Sequence, residues 1–215
     1  MKNQPNVRLV TITPGAQQII MYCARVSNPK RQYSNDTRLL KYCMNHGHWS
    51  IFEMAHAVIE IETTRAISAQ ILRHRSFSFQ EFSQRYASVS EAPCMPELRL
   101  AGASNRQSSI EGELTPKQRA LMQRAKALMA LTHKAYVEMV DSGIATECAR
   151  GILPMSTKTK LYMAGNIRSW IHYIQLRTMQ DTQKEHRIIA EECKALLAKE
   201  LPDIIPMLDE IKQST

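Results

Sequence analysis

Between positions 73 and 86 the chain reads Arg73-His74-Arg75-Ser76-Phe77-Ser78-Phe79-Gln80-Glu81-Phe82-Ser83-Gln84-Arg85-Tyr86. Three arginines, one histidine, one glutamate and three serines share fourteen positions with phenylalanines at 77, 79 and 82. A solvated helix face does not carry that many aromatics, and a core strand does not carry three guanidinium groups. Arginine is always charged and offers five donors in a planar fork. Several arginines in one loop with aromatic anchors suit a phosphate or carboxylate that must be gripped with direction. The competing structural reading is an amphipathic edge segment whose arginines pair with surface acids.

A second informative segment runs from Asn166 to Met179. As a helix, eleven residues complete about three turns, so Asn166, Trp170, Tyr173 and Arg177 fall on nearly one line. Ile167, Ile171 and Ile174 form an apolar stripe beside it. Arg177 at that border either snorkels to solvent or reaches a buried anion or carbonyl. His46-Gly47-His48 invites a metal reading, but no thiol or carboxylate pattern completes a site, and no metal is assigned. Ser50 and Glu53 fit a capping box, or a small polar loop that touches a ligand.

The elements that must position these residues follow from periodicity and punctuation. Val7 to Ile12 alternates as a strand. Thr13 can cap and Pro14 can open a helix to about Val26, and a second helix runs from about Asp36 to Asn45, stopped by Gly47. Ala55 to Thr64 is the clearest strand, with Ala57, Ile59 and Ile61 on one side. A helix from about Thr64 to Leu72 then delivers Gln70 and Arg73 into the arginine-rich loop. Residues 92–114, with two prolines, two glycines and several serines, form an exposed connection open to partial disorder. Thr115-Pro116 opens a long helix to about Asp141, ended by Gly143, with Leu121, Leu128, Leu131 and Ala135 as its buried stripe. A short turn over 146–151 places Arg150, residues 156–164 form a further strand, and a last helix spans about Thr182 to Lys199.

Composition bounds the class. The 215 residues suit a single domain, 1–215, with lysine and arginine exceeding acids by 28 − 20 = 8. The surplus is spread singly through apolar segments, which favours pockets for phosphorylated ligands over a continuous nucleic-acid track. Five scattered cysteines without a Cys-x-x-Cys pair argue against a disulfide framework or zinc ribbon. No apolar run approaches the roughly 18 residues that span a bilayer, and Met1 to Asn6 lacks a signal core. A cytoplasmic protein is expected.

Arg73-His74-Arg75, seven residues, then Ser83, with Arg85-Tyr86 following, resembles the signature of the flavin-dependent thymidylate synthases. The similarity extends through Ala24-Arg25-Val26-Ser27, His48-x-Ser50-x-x-Glu53, Ala149-Arg150-x-x-Leu153-Pro154, Asn166-x-Arg168 and Leu176-Arg177, in the family's order. Departures stand at Gln80, where Asn is common, at Met54, where His often follows the glutamate, and at His172, where many members have Asn.

The resemblance implies an α+β fold with helices packed on an antiparallel sheet. It implies a homotetramer with shared active sites and reductive methylation of dUMP to dTMP. FAD would be the cofactor, methylenetetrahydrofolate the carbon donor and NADPH the reductant, with neither nucleic acid nor membrane as partner. It places Ser50, Arg73, His74, Arg75, Glu81, Asn166, Arg168 and His172 around FAD. It gives dUMP to Gln70, Arg73, Glu81, Phe82, Ser83, Gln84, Arg85, Arg150 and Arg177, with Arg177 and Ser83 nearest the chemistry.

Two readings compete. A basic nucleic-acid-binding module would set the same arginines on phosphates and use Phe77, Phe79 and Phe82 as stacking platforms. A serine hydrolase would use Ser83 as nucleophile and His74 as base, although no Gly-x-Ser-x-Gly elbow occurs.

Overall fold

The structure is a computed structural model and describes residues 5–102 and 109–212. It is α+β, as expected, with helices against an antiparallel sheet. Four strands, β1 (Asn6–Ile12), β2 (His56–Thr64), β3 (Ser78–Glu81) and β6 (Lys158–Asn166), lie in the order β1-β2-β6-β3. A separate two-stranded ladder pairs β4 (Leu100–Ala101) antiparallel with β5 (Ser109–Ile110) inside the expected 92–114 connection. The question of disorder there falls on residues 103–108, outside the described residues.

The helices are α1 (Ala16–Cys23), α2 (Arg38–Asn45), α3 (Arg65–Ile71), α4 (Pro116–Asp141), α5 (Thr146–Ala149), α6 (Ile167–Arg177), α7 (Lys184–Glu200) and α8 (Met207–Lys212). No described helix is long and apolar enough to cross a membrane. The chain packs as two compact units. One holds Glu62–Ile71 and Glu81–Leu161; the other holds Pro5–Ile61, Leu72–Gln80 and the chain from Tyr162 onward.

In the first unit, α4 starts on a capping box. The Gln118 backbone donates to Thr115 Oγ1 at 3.3 Å, and the Thr115 backbone donates to Gln118 Oε1 at 2.8 Å. Gly143, at φ 88°, stops the chain beyond its end, a conformation that glycine adopts without a Cβ clash. The expected buried stripe does not form. Leu121, Leu128 and Leu131 are 55%, 55% and 62% exposed, because α4 meets its own unit chiefly through its last turns. There Tyr136, Met139 and Val140 pack with Val89, Ala149 and Leu153. The Tyr136 hydroxyl accepts from the Val89 backbone at 2.9 Å.

In the second unit, β2 buries Ala57 and Ile59 as its alternation requires, and α6 buries Ile167, Trp170, Ile171, Tyr173 and Ile174. Trp170 Nε1 donates to the Ala57 carbonyl at 3.2 Å, which fastens α6 to β2. Two expected caps are absent. Helix α1 begins at Ala16 after Gly15 at φ 64°, because the Thr13 hydroxyl is taken by the His56 backbone, accepting at 2.9 Å and donating at 3.3 Å. Ser50 and Glu53 make no capping box. They lie in a 3-10 turn (Trp49–Glu53), and the Glu53 carboxylate pairs with Arg168 instead.

Candidate functional site

The arginine-rich stretch is not one uniform loop, since residues 78–81 form β3. Its first half belongs to the second unit and is pinned to α6. Asn166 caps α6, accepting from the Ser169 backbone at 2.8 Å, and the Ser169 hydroxyl donates to the Ser76 carbonyl at 3.2 Å. Phe77 packs its ring 4.9 Å from Trp170 and is 8% exposed. It lies so close to β6 that a Cβ on Gly165 would come within 2.5 Å of the ring. Phe77 is therefore a core anchor, not a stacking platform, and Phe79 is half-buried. Phe82, at 40% exposed, alone of the three keeps the accessibility that the nucleic-acid reading required.

This pinning holds His74 in place. Its imidazole is 8% exposed and stands edge-on to Tyr173, with ring centres 5.0 Å apart. Arg177, in the last turn of α6, donates through Nε to His74 Nε2 at 2.9 Å. Accepting requires Nε2 to carry no proton. Burial first, then the Arg177 charge and the neighbouring His172, push His74 down to about 4, so it is neutral near pH 7. The same bond occupies the nitrogen that a base would need toward Ser83. Arg177 is thus neither a snorkelling side chain nor free to swing. Its Nε is committed, and its two terminal nitrogens retain their donors.

In the same unit, Arg73 and Arg75 are exposed, as are Ser50, Arg168 and His172. Arg168 and His172 are four apart on α6 and so share a face. No ion pair to Arg73, Arg75 or Arg150 forms among the described residues. Elsewhere in this unit a polar cavity of about 290 Å³ is lined by Arg25, Ser27, Asn28, Arg31, Ser34 and Asp36, among others. Arg25 is held there by its bonds to the Met21 carbonyl, at 2.9 Å, and to the Asp36 carbonyl.

The second half of the stretch belongs to the first unit. Glu81 ends β3, and its Oε1 takes three donors: the Ser68 hydroxyl at 2.6 Å, the Thr159 hydroxyl at 2.9 Å and Arg65 Nη1 at 2.7 Å. Arg65 and Ser68 are three apart on α3 and face the same way. The start of α3 is fixed by the Arg65 and Ala66 backbones, which donate to the Thr157 and Met155 carbonyls at 2.9 Å each. Beyond Glu81, the Phe82 backbone donates to the Lys160 carbonyl at 2.8 Å. Gln84 is buried, and its Nε2 has no partner among the described residues. Arg85 pairs with Glu147 at 3.2 Å, with both side chains about half exposed. Ser83 Oγ accepts a long bond of 3.4 Å from the Arg85 backbone and has no base assigned to it. Arg150 is half-buried in the short 3-10 turn Arg150–Ile152, and Gln70 is half-buried on α3.

The chemistry on offer is directional binding and polarisation, not nucleophilic attack. Arginines without acids call for an anion, and the unpartnered amide of Gln84 calls for an acceptor. These features fit a phosphate-bearing, hydrogen-bonding ligand. Sequence reading passed over Arg65, Ser68 and Thr159, and gave no role to His186. Only Tyr173 carried a signal, its place on the helical line that ends at Arg177.

Comparison with known proteins gives a consistent result. The family model described as thymidylate synthase complementing protein matches residues 8–203. A probable flavin-dependent thymidylate synthase of Paramecium bursaria Chlorella virus 1 is 50% identical over 196 residues, covering 90% of this chain and 91% of the relative. The flavin-dependent thymidylate synthase of Synechocystis is 48% identical, over 89% of this chain and 88% of the relative. Among solved structures, the UMP/dUMP methylase PolB of Streptomyces cacaoi, bound with 5-Br UMP, superposes with a TM-score of 0.84 at 28% identity. That match covers 95% of this chain and 94% of the other.

Proposed function

The chain belongs to the thymidylate synthase complementing protein family, and we propose that it is a flavin-dependent thymidylate synthase that methylates dUMP to dTMP. The observation that carries this reading is a match of about half the residues to flavin-dependent thymidylate synthases along nearly the whole of both chains. Beyond it, FAD is the flavin, methylenetetrahydrofolate gives the carbon and NADPH the electrons.

Within that reading each side chain has a physical task. Arg73, Arg85 and Arg150 grip the dUMP phosphate, because a bidentate fork matches its oxygens. Ser83 and Gln84 donate to the nucleotide, and Gln84 brings a buried amide that otherwise stays unsatisfied. Gln70 and Phe82 complete its contacts. Glu81 receives Arg65, Ser68 and Thr159 on one oxygen and turns the other toward ligand. Arg75, Arg168, Asn166, Ser50 and His172 hold FAD, which supplies the hydride chemistry when bound. Arg177, steered by its bond to His74, stabilises negative charge that develops around N3 and the adjacent carbonyl of the uracil. It stays protonated throughout, so its contribution is electrostatic.

The enzyme is a homotetramer with active sites shared among protomers. Three outward leucines at spacings of seven and three along α4 support association.

The test is dTMP formation from dUMP and methylenetetrahydrofolate, with and without FAD and NADPH. Turnover only with both present is the expected result. A folded protein that binds no FAD and forms no dTMP would overturn the proposal.

A further inference from the structure

Two fully buried polar rings, Tyr173 on α6 and His186 on α7, pack against His74. Each is 0% exposed, and His186 meets His74 edge-on at 6.3 Å. The Tyr173 hydroxyl lies 3.2 Å from His186 Nε2. A buried phenol needs a hydrogen-bond partner, and here His186 supplies one. Burying an imidazole completely costs more than burying a leucine of similar size. If this position existed only to fill space, an apolar residue would do so at lower cost. What a leucine cannot do is hydrogen-bond the tyrosine hydroxyl and so fix the ring that forms the wall behind His74.

The contacts run in series. His186 bonds Tyr173. Tyr173 stands at 78° against the His74 ring. His74 accepts from Arg177. Rotation of the Tyr173 ring would let His74 turn and point its lone pair away from Arg177. We propose that His186 is a positioning residue for Arg177: through Tyr173 it holds His74 in the orientation and tautomer that accept from the Arg177 guanidinium. The proposal rests on the reading of Arg177 as the group that polarises the uracil ring. Burial first, then the Arg177 charge and the neighbouring His74, pushes His186 down to about 3, in keeping with an uncharged ring.

Three variants of the full chain test it: His186→Leu, His186→Gln and Tyr173→Phe. His186→Leu removes the Tyr173 hydrogen-bond partner and should lower kcat about 10-fold while the KM for dUMP moves less than about 3-fold, as expected for a misaimed polarising group. His186→Gln keeps an acceptor oxygen and should recover most of that loss. Tyr173→Phe should lower kcat like His186→Leu, and the double variant His186→Leu/Tyr173→Phe should cost little more than either alone.

A readout independent of turnover is nitrogen NMR of histidine-labelled protein. His74 Nε2 should read as unprotonated in the wild type and with His186→Gln. With His186→Leu it should shift toward a tautomer mixture. Equal losses for Leu and Gln, additive losses in the double variant, or an unchanged His74 signal alongside a lower kcat would each overturn the proposal in favour of packing alone. If His186→Leu does not fold, the Gln and Phe variants decide by the same criteria. A wild-type protein without synthase activity would sink the synthase reading, while the His74 signal would still decide whether His186 sets its tautomer.

Discussion

Replacing Arg177 separates two jobs that the structure gives one side chain. Nε donates to a His74 imidazole that is 8% exposed, and the two terminal nitrogens remain for a ligand. Arg177→Ala leaves the His74 acceptor buried without its donor, which costs about 1–3 kcal/mol of folding stability. It also removes a preorganised donor toward developing charge, worth roughly 3–4 kcal/mol, or about 100- to 1000-fold in rate. Steady-state dTMP formation at saturating dUMP should fall by that factor, while FAD still binds and NADPH still reduces it. Arg177→Lys should recover only part, since one ammonium reproduces the charge but not the fork. Arg177→Gln is the discriminating variant. Its amide can donate to His74 but carries no charge, so stability should return toward wild type while turnover stays low. Near-normal turnover for Arg177→Ala, or full activity for Arg177→Gln, would refute the electrostatic role.

Four further outcomes follow. His74 and His186 sit at about 4 and about 3, against an ordinary 6.5, so the unfolded chain takes up protons first as pH falls. Stability should be whole above pH ~6.5 and should decline below it by up to ~1.4 kcal/mol per pH unit for each ring, the His74 part flattening near pH 4 and the His186 part near pH 3. Urea midpoints measured against pH, with a shallower slope in His186→Leu, check this. Gly165→Ala should destabilise by roughly 1–3 kcal/mol, because the added Cβ meets the Phe77 ring; a thermal midpoint equal to wild type would contradict the packing. Ser83→Ala should raise the KM for dUMP and leave measurable turnover, whereas lost chemistry in a protein that still binds dUMP and FAD would make the hydroxyl a reactant. If the proposed tetramer uses α4, Leu128→Glu should shift the protein to smaller species in light scattering, and an unchanged mass would remove α4 from the interface.

Much of the fold was legible because the patterns were local. The alternation of Ala57, Ile59 and Ile61 and the stop at Gly143 each state their own geometry. The place of Arg177 at the end of a helix capped by Asn166 was legible from helical arithmetic, whereas its imidazole partner, 103 residues away, was not. What stayed hidden depends on distant partners. The three donors on Glu81 come from α3 and β6, and two of them lie 13 and 78 residues away in sequence, with nothing local to connect them. Phe77 as an anchor was legible from its place among the arginines, but what it anchors to was not: the space that buries it is opened by a glycine on another strand. The Ser50–Glu53 spacing misled as a capping box, because both residues lie within one 3-10 turn and the glutamate pairs with the distant Arg168. On α4, periodicity announced an apolar stripe and could not say which molecule would cover it.

In the proposed assembly, that stripe would make stability depend on mass action. A helix with one buried side chain, Tyr136, and three leucines turned outward leaves its own protomer short of favourable burial. Whatever free energy covers those leucines in an assembly is then shared with the translational freedom of the chains. The melting temperature of such a protein is no constant: it rises with protomer concentration and falls on dilution. A dilution series followed by calorimetry would give the slope, and α4 would be expected to lose its amide protection before the Tyr136 cluster does.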